Sequence, residues 1–156
     1  MRTQGLRSIA LASLLALLLA LTACSGDGGE PGGAPGAETW PGTAANAGNG
    51  DSISVGGWKG RPDAVAVSCS VSDGAVTATL TAPEGWTAVT TQPKGGGDAA
   101  VTLRDTTGTE ETLEPHGDSA VRWGATATFQ TEFPLESKTS DWRFYAASVS
   151  CEQQAG

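Results

Sequence analysis

From Ser52 onward, apolar and polar residues alternate with a period of two, a pattern typical of β-strands with one buried face. The clearest example is the segment 64–82, in which two alternating runs flank the dipeptide Asp73-Gly74. This dipeptide is a strong signal for a two-residue hairpin turn. The resulting register pairs apolar positions with one another: Val71 with Val76, Cys69 with Ala78, and Val67 with Leu80. We therefore expect an antiparallel hairpin whose apolar side chains share one face.

Further segments with strand-like composition follow along the chain. They are Ile53–Val55, Trp86–Thr91, Ala99–Arg104, Glu111–Leu113, Ala120–Trp123, Ala125–Phe133 and Trp142–Glu152. Short strands separated by frequent turn residues favour a small all-β fold, an antiparallel β-sandwich of immunoglobulin-like size. The predicted domain spans 52–152, followed by a short tail at 153–156.

Large aliphatic residues are sparse in this domain, so aromatic side chains are expected to supply much of the core. The candidates are Trp58, Trp86, Trp123, Phe129, Phe133, Trp142, Phe144 and Tyr145.

Cys69 and Cys151 lie in the first and last long strand segments, each in phase with the apolar positions around it. An even pair of cysteines in a small exported domain predicts a disulfide bond. The alternative is a metal site built from cysteine and histidine. A mononuclear zinc site needs three or four ligands, and the chain has one histidine, so the disulfide is the favoured interpretation.

The start of the chain has the organisation of an export signal. Arg2 and Arg7 precede an apolar run, Ile9 to Ala23, that is shorter than a bilayer-spanning helix. Small residues then lead directly to Cys24 in the string LTAC at 21–24, as in a lipobox. We expect residues 1–23 to be a lipoprotein signal peptide and Cys24 to carry acyl chains such as palmitate. The protein would then be extracytoplasmic and held to the cell membrane by its lipid.

Glycine, proline and alanine dominate the segment after Cys24, which shows no apolar periodicity. Residues 24–51 are therefore predicted to be the lipidated cysteine followed by a flexible, disordered linker. Trp40 is interpreted as a stray aromatic in this linker, with a docking point as the alternative.

The charge balance excludes some partners. The chain has 17 acidic and 9 basic residues. Removing a leader that contains Arg2 and Arg7 and no acidic residue leaves seven basic against seventeen acidic residues, a net charge of −10. A chain this acidic is not expected to bind nucleic acid, and only its acyl chains would attract it to anionic lipid.

Three strings together give the chain a likeness to a known group. They are LTAC at 21–24, VAVSCSVSDGAVTATL at 65–80 and SVSC at 148–151. In this layout the chain resembles the actinobacterial lipoprotein antigens. The resemblance implies a surface-exposed, non-enzymatic envelope protein with an adhesion or interaction role, and it carries over only Cys24, Cys69 and Cys151.

The sequence contains few candidate catalytic, metal-binding or ligand-binding residues. His116, the only histidine, is flanked by proline and glycine and is interpreted as part of an exposed turn. A calcium site made by Glu110, Glu111, Glu114 and Asp118 is a weaker alternative, because the alternating ligand pattern of a calcium loop is missing. Trp58 and Trp142 are flanked by loops and are the candidates for a ligand platform.

We therefore expect no enzyme activity, cofactor or metal. The leading hypothesis is an interaction or adhesion module for an envelope or host protein or glycan. The alternative is a lipoprotein that carries or senses a small molecule or glycan.

Overall fold

The computed structural model describes residues 38–45 and 52–153, and these are almost entirely β-structure. Within them are fifteen short strands: β1 (Glu38–Pro41), β2 (Thr43–Ala45), β3 (Ile53–Gly56), β4 (Trp58–Gly60), β5 (Ala66–Ser72), β6 (Ala75–Thr81), β7 (Thr87–Thr91), β8 (Gly97–Ala99), β9 (Val101–Arg104), β10 (Glu110–Leu113), β11 (Val121–Trp123), β12 (Thr128–Thr131), β13 (Leu135–Glu136), β14 (Arg143–Tyr145) and β15 (Ser148–Ser150). Single 3₁₀ turns occur at Pro62–Ala64 and Pro83–Gly85. No helix in the described part of the chain is long and apolar enough to cross a membrane.

The strands form three antiparallel sheets around one core. The orders are β1-β5-β6-β7-β9-β10, β2-β15-β12-β11-β8 and β13-β14-β3-β4. Buried residues from all three sheets belong to one hydrophobic cluster. The all-β sandwich expected from the sequence is confirmed, with its strands divided among three antiparallel sheets.

The hairpin formed by β5 and β6 has the predicted register. Its pairs include Val71 with Val76, Cys69 with Ala78, and Val67 with Leu80. Asp73 and Gly74 both have positive φ, 52° and 78°, as a type I′ turn requires. The turn and the apolar alternation therefore specify the same pairing.

The disulfide between Cys69 and Cys151 is confirmed. The two Cα atoms are 5.7 Å apart, and both residues are buried. Cys69 belongs to the six-stranded sheet, whereas Cys151 directly follows β15 of the five-stranded sheet. The bond therefore links two of the three sheets.

Two predicted long strands are corrected. The segment Trp142–Glu152 is two strands, β14 and β15, in different sheets, and Ala99–Arg104 likewise divides at Ala100 between β8 and β9. Near the first break, the amide of Ala146 donates to the Thr131 hydroxyl at 2.8 Å, and that hydroxyl donates to the Ala146 carbonyl at 3.0 Å. The buried threonine thus satisfies backbone groups where the chain changes sheet.

The predicted aromatic core is only partly correct. Trp123, Phe129 and Phe144 are buried, with Trp123 and Phe129 in contact at a centroid distance of 4.7 Å. Phe133 is 48% exposed and therefore does not belong to the core. It lies beyond the end of β12, where the alternation that would have pointed it inward has stopped. The remaining four candidates, Trp58, Trp86, Trp142 and Tyr145, are half-buried.

The predicted linker 24–51 is wrong over 38–45, and so is the interpretation of Trp40 as a stray aromatic. This segment forms β1 and β2, which pair with β5 and β15 at the edges of two sheets. The indole N–H of Trp40 donates to the Cys151 carbonyl at 2.7 Å, and its ring packs against the core. The segment contains few apolar residues. It is held in the fold by backbone pairing at the sheet edges and by the packing of the Trp40 ring.

Gly42, between β1 and β2, explains how this segment approaches the core so closely. A Cβ there would lie 2.6 Å from the Cys69 sulfur and 2.7 Å from the Ser150 carbonyl oxygen. The ordered domain therefore begins before Ser52. The predicted signal peptide 1–23, Cys24, the linker portions 25–37 and 46–51, and the tail 154–156 lie outside the described residues.

Candidate functional site

A cleft of about 510 Å³ lies where the six-stranded and four-stranded sheets meet at their open edges. One wall comes from β10 and the loop after it, including Glu114, Pro115 and His116. The opposite wall comes from β13 and its flanks, including Pro134 and Lys138. Its volume falls within the range of roughly 300–1,000 Å³ that is usual for ligand pockets.

The Glu111 carboxylate joins the two walls. Its Oε1 accepts from the hydroxyls of Ser137 and, at 3.1 Å, Thr139. Its Oε2 accepts from the Ser140 hydroxyl at 2.9 Å. One side chain of the six-stranded sheet is therefore bound by three hydroxyls from the loop that follows β13. We call Glu111, Ser137, Thr139 and Ser140 the hydroxyl clamp.

The loop presents these hydroxyls because its own backbone is held in a tight turn. The Ser137 hydroxyl oxygen accepts from the amides of Thr139 at 3.0 Å and Ser140 at 2.8 Å. The Ser137 amide donates to the Trp142 carbonyl at 2.9 Å and closes the turn. Serine and threonine favour such local side-chain to backbone bonds, so the turn is ready to receive a carboxylate.

These bonds lower the pKa of Glu111 from its ordinary value of 4.5. The Ser137 hydroxyl makes the largest contribution, burial opposes it, and the hydroxyls of Ser140 and Thr139 add to it. Donors stabilise the charged form of a carboxyl group. Glu111 is therefore an ionised group at neutral pH and a fixed negative charge beside the cleft.

The clamp makes folding stability depend on pH in one direction. The folded pKa of Glu111 lies below the unfolded value, so its contribution is complete above the unfolded pKa and is lost as pH falls through the folded pKa. We expect Glu111→Gln to lower the midpoint of thermal unfolding at pH 7, with a difference from the wild type that shrinks below about pH 4.

Thermal unfolding from pH 7 to pH 3 measures this effect. Glu110→Gln is the matched control, because the Glu110 carboxylate pairs with Arg104 at 3.3 Å on the exposed surface and does not contact the clamp. A Glu111→Gln deficit that stays constant across this range would contradict the assignment.

A second carboxylate with a lowered pKa, Asp105, belongs to a surface turn. The Thr107 hydroxyl is the leading cause, and the amides of Thr107 and Thr109 also donate to this carboxylate. The turn connects β9 to β10 and lies outside the cleft lining. It orders one end of β10 and adds no candidate chemistry.

The two tryptophans of the predicted ligand platform, Trp58 and Trp142, are both half-buried and pack against the core. Trp142 packs edge-to-face on Trp86, with ring centroids 4.9 Å apart and planes at 89°. Trp58 lies in β4 over Gly60. The Trp86 ring packs against Gly56. Trp86 was not among the residues predicted from the sequence to form a ligand site. A cleft of about 100 Å³ beside Trp142 is too small for most ligands.

His116 lies in an exposed turn that bridges to Ser119, as the sequence predicted. The four acidic residues considered for calcium do not converge, because Glu110 pairs with Arg104 while Glu111 binds hydroxyls. Within residues 38–45 and 52–153, no group of three or more histidine, cysteine, aspartate or glutamate residues could hold a metal ion.

Sequence reasoning missed the cleft. It noted Glu111 and Glu114 only as part of an acidic segment, and it did not select Glu136, Ser137 or Lys138. The three hydroxyl residues Ser137, Thr139 and Ser140, close together in the chain, were a local signal for a turn. Their partner Glu111 lies 26 residues before Ser137, and only the topology brings the two together.

No protein-family model matches this chain, and neither a curated protein nor a solved structure matches it.

Proposed function

We propose that the chain is a lipoprotein anchored in the cell membrane, and that its β-sandwich is a non-catalytic interaction module of the cell envelope. The observation that carries the anchor is the position of Cys24, directly after small residues and an apolar run with a basic start. The resemblance to actinobacterial lipoprotein antigens, which rests on LTAC at 21–24 and on the strings at 65–80 and 148–151, supports the same role.

The disulfide adds independent support for export. Bonds of this kind form and persist in oxidising compartments and are rare in the bacterial cytoplasm. Cys69 and Cys151 are bonded to each other, so Cys24 is the one cysteine of the three that remains for acylation. The disulfide thus supports the extracytoplasmic location, and Cys24 supports the lipid anchor.

An interaction role draws more support than a carrier for a glycan or small molecule. Such a carrier would be expected to place several aromatic rings in one concave site. Trp142 instead packs on Trp86, Trp40 is tied to the Cys151 carbonyl, and Trp123 is buried. The cleft at the sheet edges is lined mainly by polar and charged side chains and prolines.

Metabolic labelling tests the anchor. When the full chain is expressed in a lipoprotein-processing bacterium with an alkyne analogue of palmitate, the wild type is expected to be labelled and to sediment with membranes. Cys24→Ala should lose both properties. Ser25→Ala is the matched control and should keep both.

Intact mass measurement gives a second readout. The wild type should lack residues 1–23 and carry added acyl mass. An unmodified chain that retains its leader, or label that persists in Cys24→Ala, would overturn the proposed anchor.

A further inference from the structure

Two strand edges border the cleft that lies between the sheets. Among the described residues, β10 is the last strand of the six-stranded sheet and β13 is the last strand of the four-stranded sheet. β10 pairs on one side with β9, and β13 pairs on one side with β14. Both therefore present an edge to the cleft, and a strand edge is a template for another strand.

The hydrogen-bond pattern identifies the backbone groups on these edges. Residues of antiparallel strands alternate between bonding their partner and pointing away from it. The Ser137 amide bonds the Trp142 carbonyl, so the N–H and C=O of Glu136 point away from β14. On the other edge the Asp105 amide bonds the Thr109 carbonyl, which directs the N–H and C=O of Thr112 away from β9.

Side chains around these edges suit an extended peptide. Thr112 and Glu136 both line the cleft. Pro115 and Pro134 form apolar parts of its walls, and the buried Leu113 and Leu135 form its base. In recognition by strand addition, backbone bonds supply affinity and pockets for alternate side chains supply specificity.

The charge of the cleft lining indicates which kind of partner it would bind. The lining contains the carboxylates of Glu111, Glu114 and Glu136 against the single ammonium of Lys138, so acidic side chains outnumber lysine three to one. Arg143 lies 3.8 Å from Glu136, and both side chains are more than half exposed, so water screens this pair strongly. A cationic partner is favoured.

The chain itself does not supply a cationic segment for the cleft. The segment 25–51 contains acidic residues and no lysine or arginine, and the whole chain has a net charge of −8, so both this segment and a second copy are repelled. We propose that the cleft binds an extended, lysine- or arginine-rich segment of a partner protein as an added strand along β10 or β13. This names the partner class for the proposed interaction role and rests on that role.

The test uses the purified full chain in neutral detergent micelles, since anionic lipid would itself bind a basic peptide. The probe is the fluorescent peptide acetyl-Lys-Val-Lys-Thr-Lys-Val-amide, and binding is followed by anisotropy. One comparison peptide has glutamate in place of lysine. Another keeps the lysines but carries N-methyl groups on alternate amides, which removes the donors that a strand needs.

The lysine probe is expected to bind, with affinity reduced at least about tenfold by either peptide change. The double variant Glu114→Lys/Glu136→Lys should also weaken binding at least about tenfold. Asp63→Lys/Glu152→Lys is the matched control, because it changes net charge equally with exposed residues outside the cleft lining, and it should retain binding. Circular dichroism checks that each variant is folded.

Equal binding of the N-methylated probe would overturn strand addition, and equal loss in both double variants would overturn the cleft as the site. No binding of the lysine probe up to about 1 mM would overturn the proposal. Binding of a neutral chitin oligosaccharide in its place would overturn it in favour of a glycan site. The palmitate label is read separately, so failure here and failure of the anchor are distinguishable.

Discussion

Replacement of Cys69 and Cys151 together by alanine is expected to lower the free energy of unfolding by about 4–5 kcal/mol, because the bond closes a long loop. The two cysteines are 82 residues apart, and the cross-link joins the six-stranded sheet to the end of β15 in the five-stranded sheet. In a domain of this size, such a loss corresponds to a fall of about 20 °C in the midpoint of thermal unfolding. Calorimetry of the oxidised wild type and the double variant measures it.

Reduction of the wild type should reproduce the effect of the double variant. Ser68→Ala is the control, since its side chain is exposed on the same strand, and its midpoint should stay close to that of the wild type. A double variant that unfolds within about 5 °C of the wild type would show that the cross-link contributes little.

The second large effect is expected at Gly56, the last residue of β3, where the chain turns into β4. Its φ is +63°, and an added Cβ would lie 2.0 Å from the Trp86 ring. A side chain there meets both a left-handed backbone and a filled space, so we expect Gly56→Ala to destabilise the fold by roughly 3–4 kcal/mol. Chemical denaturation of the purified protein measures the loss.

Gly74→Ala separates the two causes. Gly74 also has positive φ, +78°, but a Cβ added there would meet no atom within 4 Å. Its substitution should therefore cost only the backbone component, about 1–2 kcal/mol. Equal losses at the two glycines would mean that contact with Trp86 has no role.

Features encoded by local patterns were predictable from the sequence. The hairpin of β5 and β6 was predicted with its register, because the turn dipeptide and the period of two point to the same pairing. The disulfide followed from strand phase and from the absence of enough ligands for a metal site. The hairpin depends on information within a few neighbouring residues, and the disulfide depends on the count of two cysteines in the domain.

Features that depend on long-range arrangement were not predictable. Residues 38–45 have a linker composition, yet they become ordered because the edges of β5 and β15 offer partners. The last predicted strand divides because the chain changes sheet near Ala146, which an uninterrupted run of strand-forming residues does not reveal. The cleft likewise requires two sheet edges to meet, and Glu111 finds its hydroxyl partners 26 to 29 residues away.

The edge position of β1 has a mechanical consequence. Tension transmitted along the chain from residues before Glu38 reaches β1 before any other described strand. From there it passes to β5 through the backbone ladder and to Cys151 through the Trp40 indole. Both routes end at the two halves of one covalent bridge. A sustained pull from that side would therefore be resisted first by β1, whose two attachments lie on segments that the Cys69–Cys151 bond holds together.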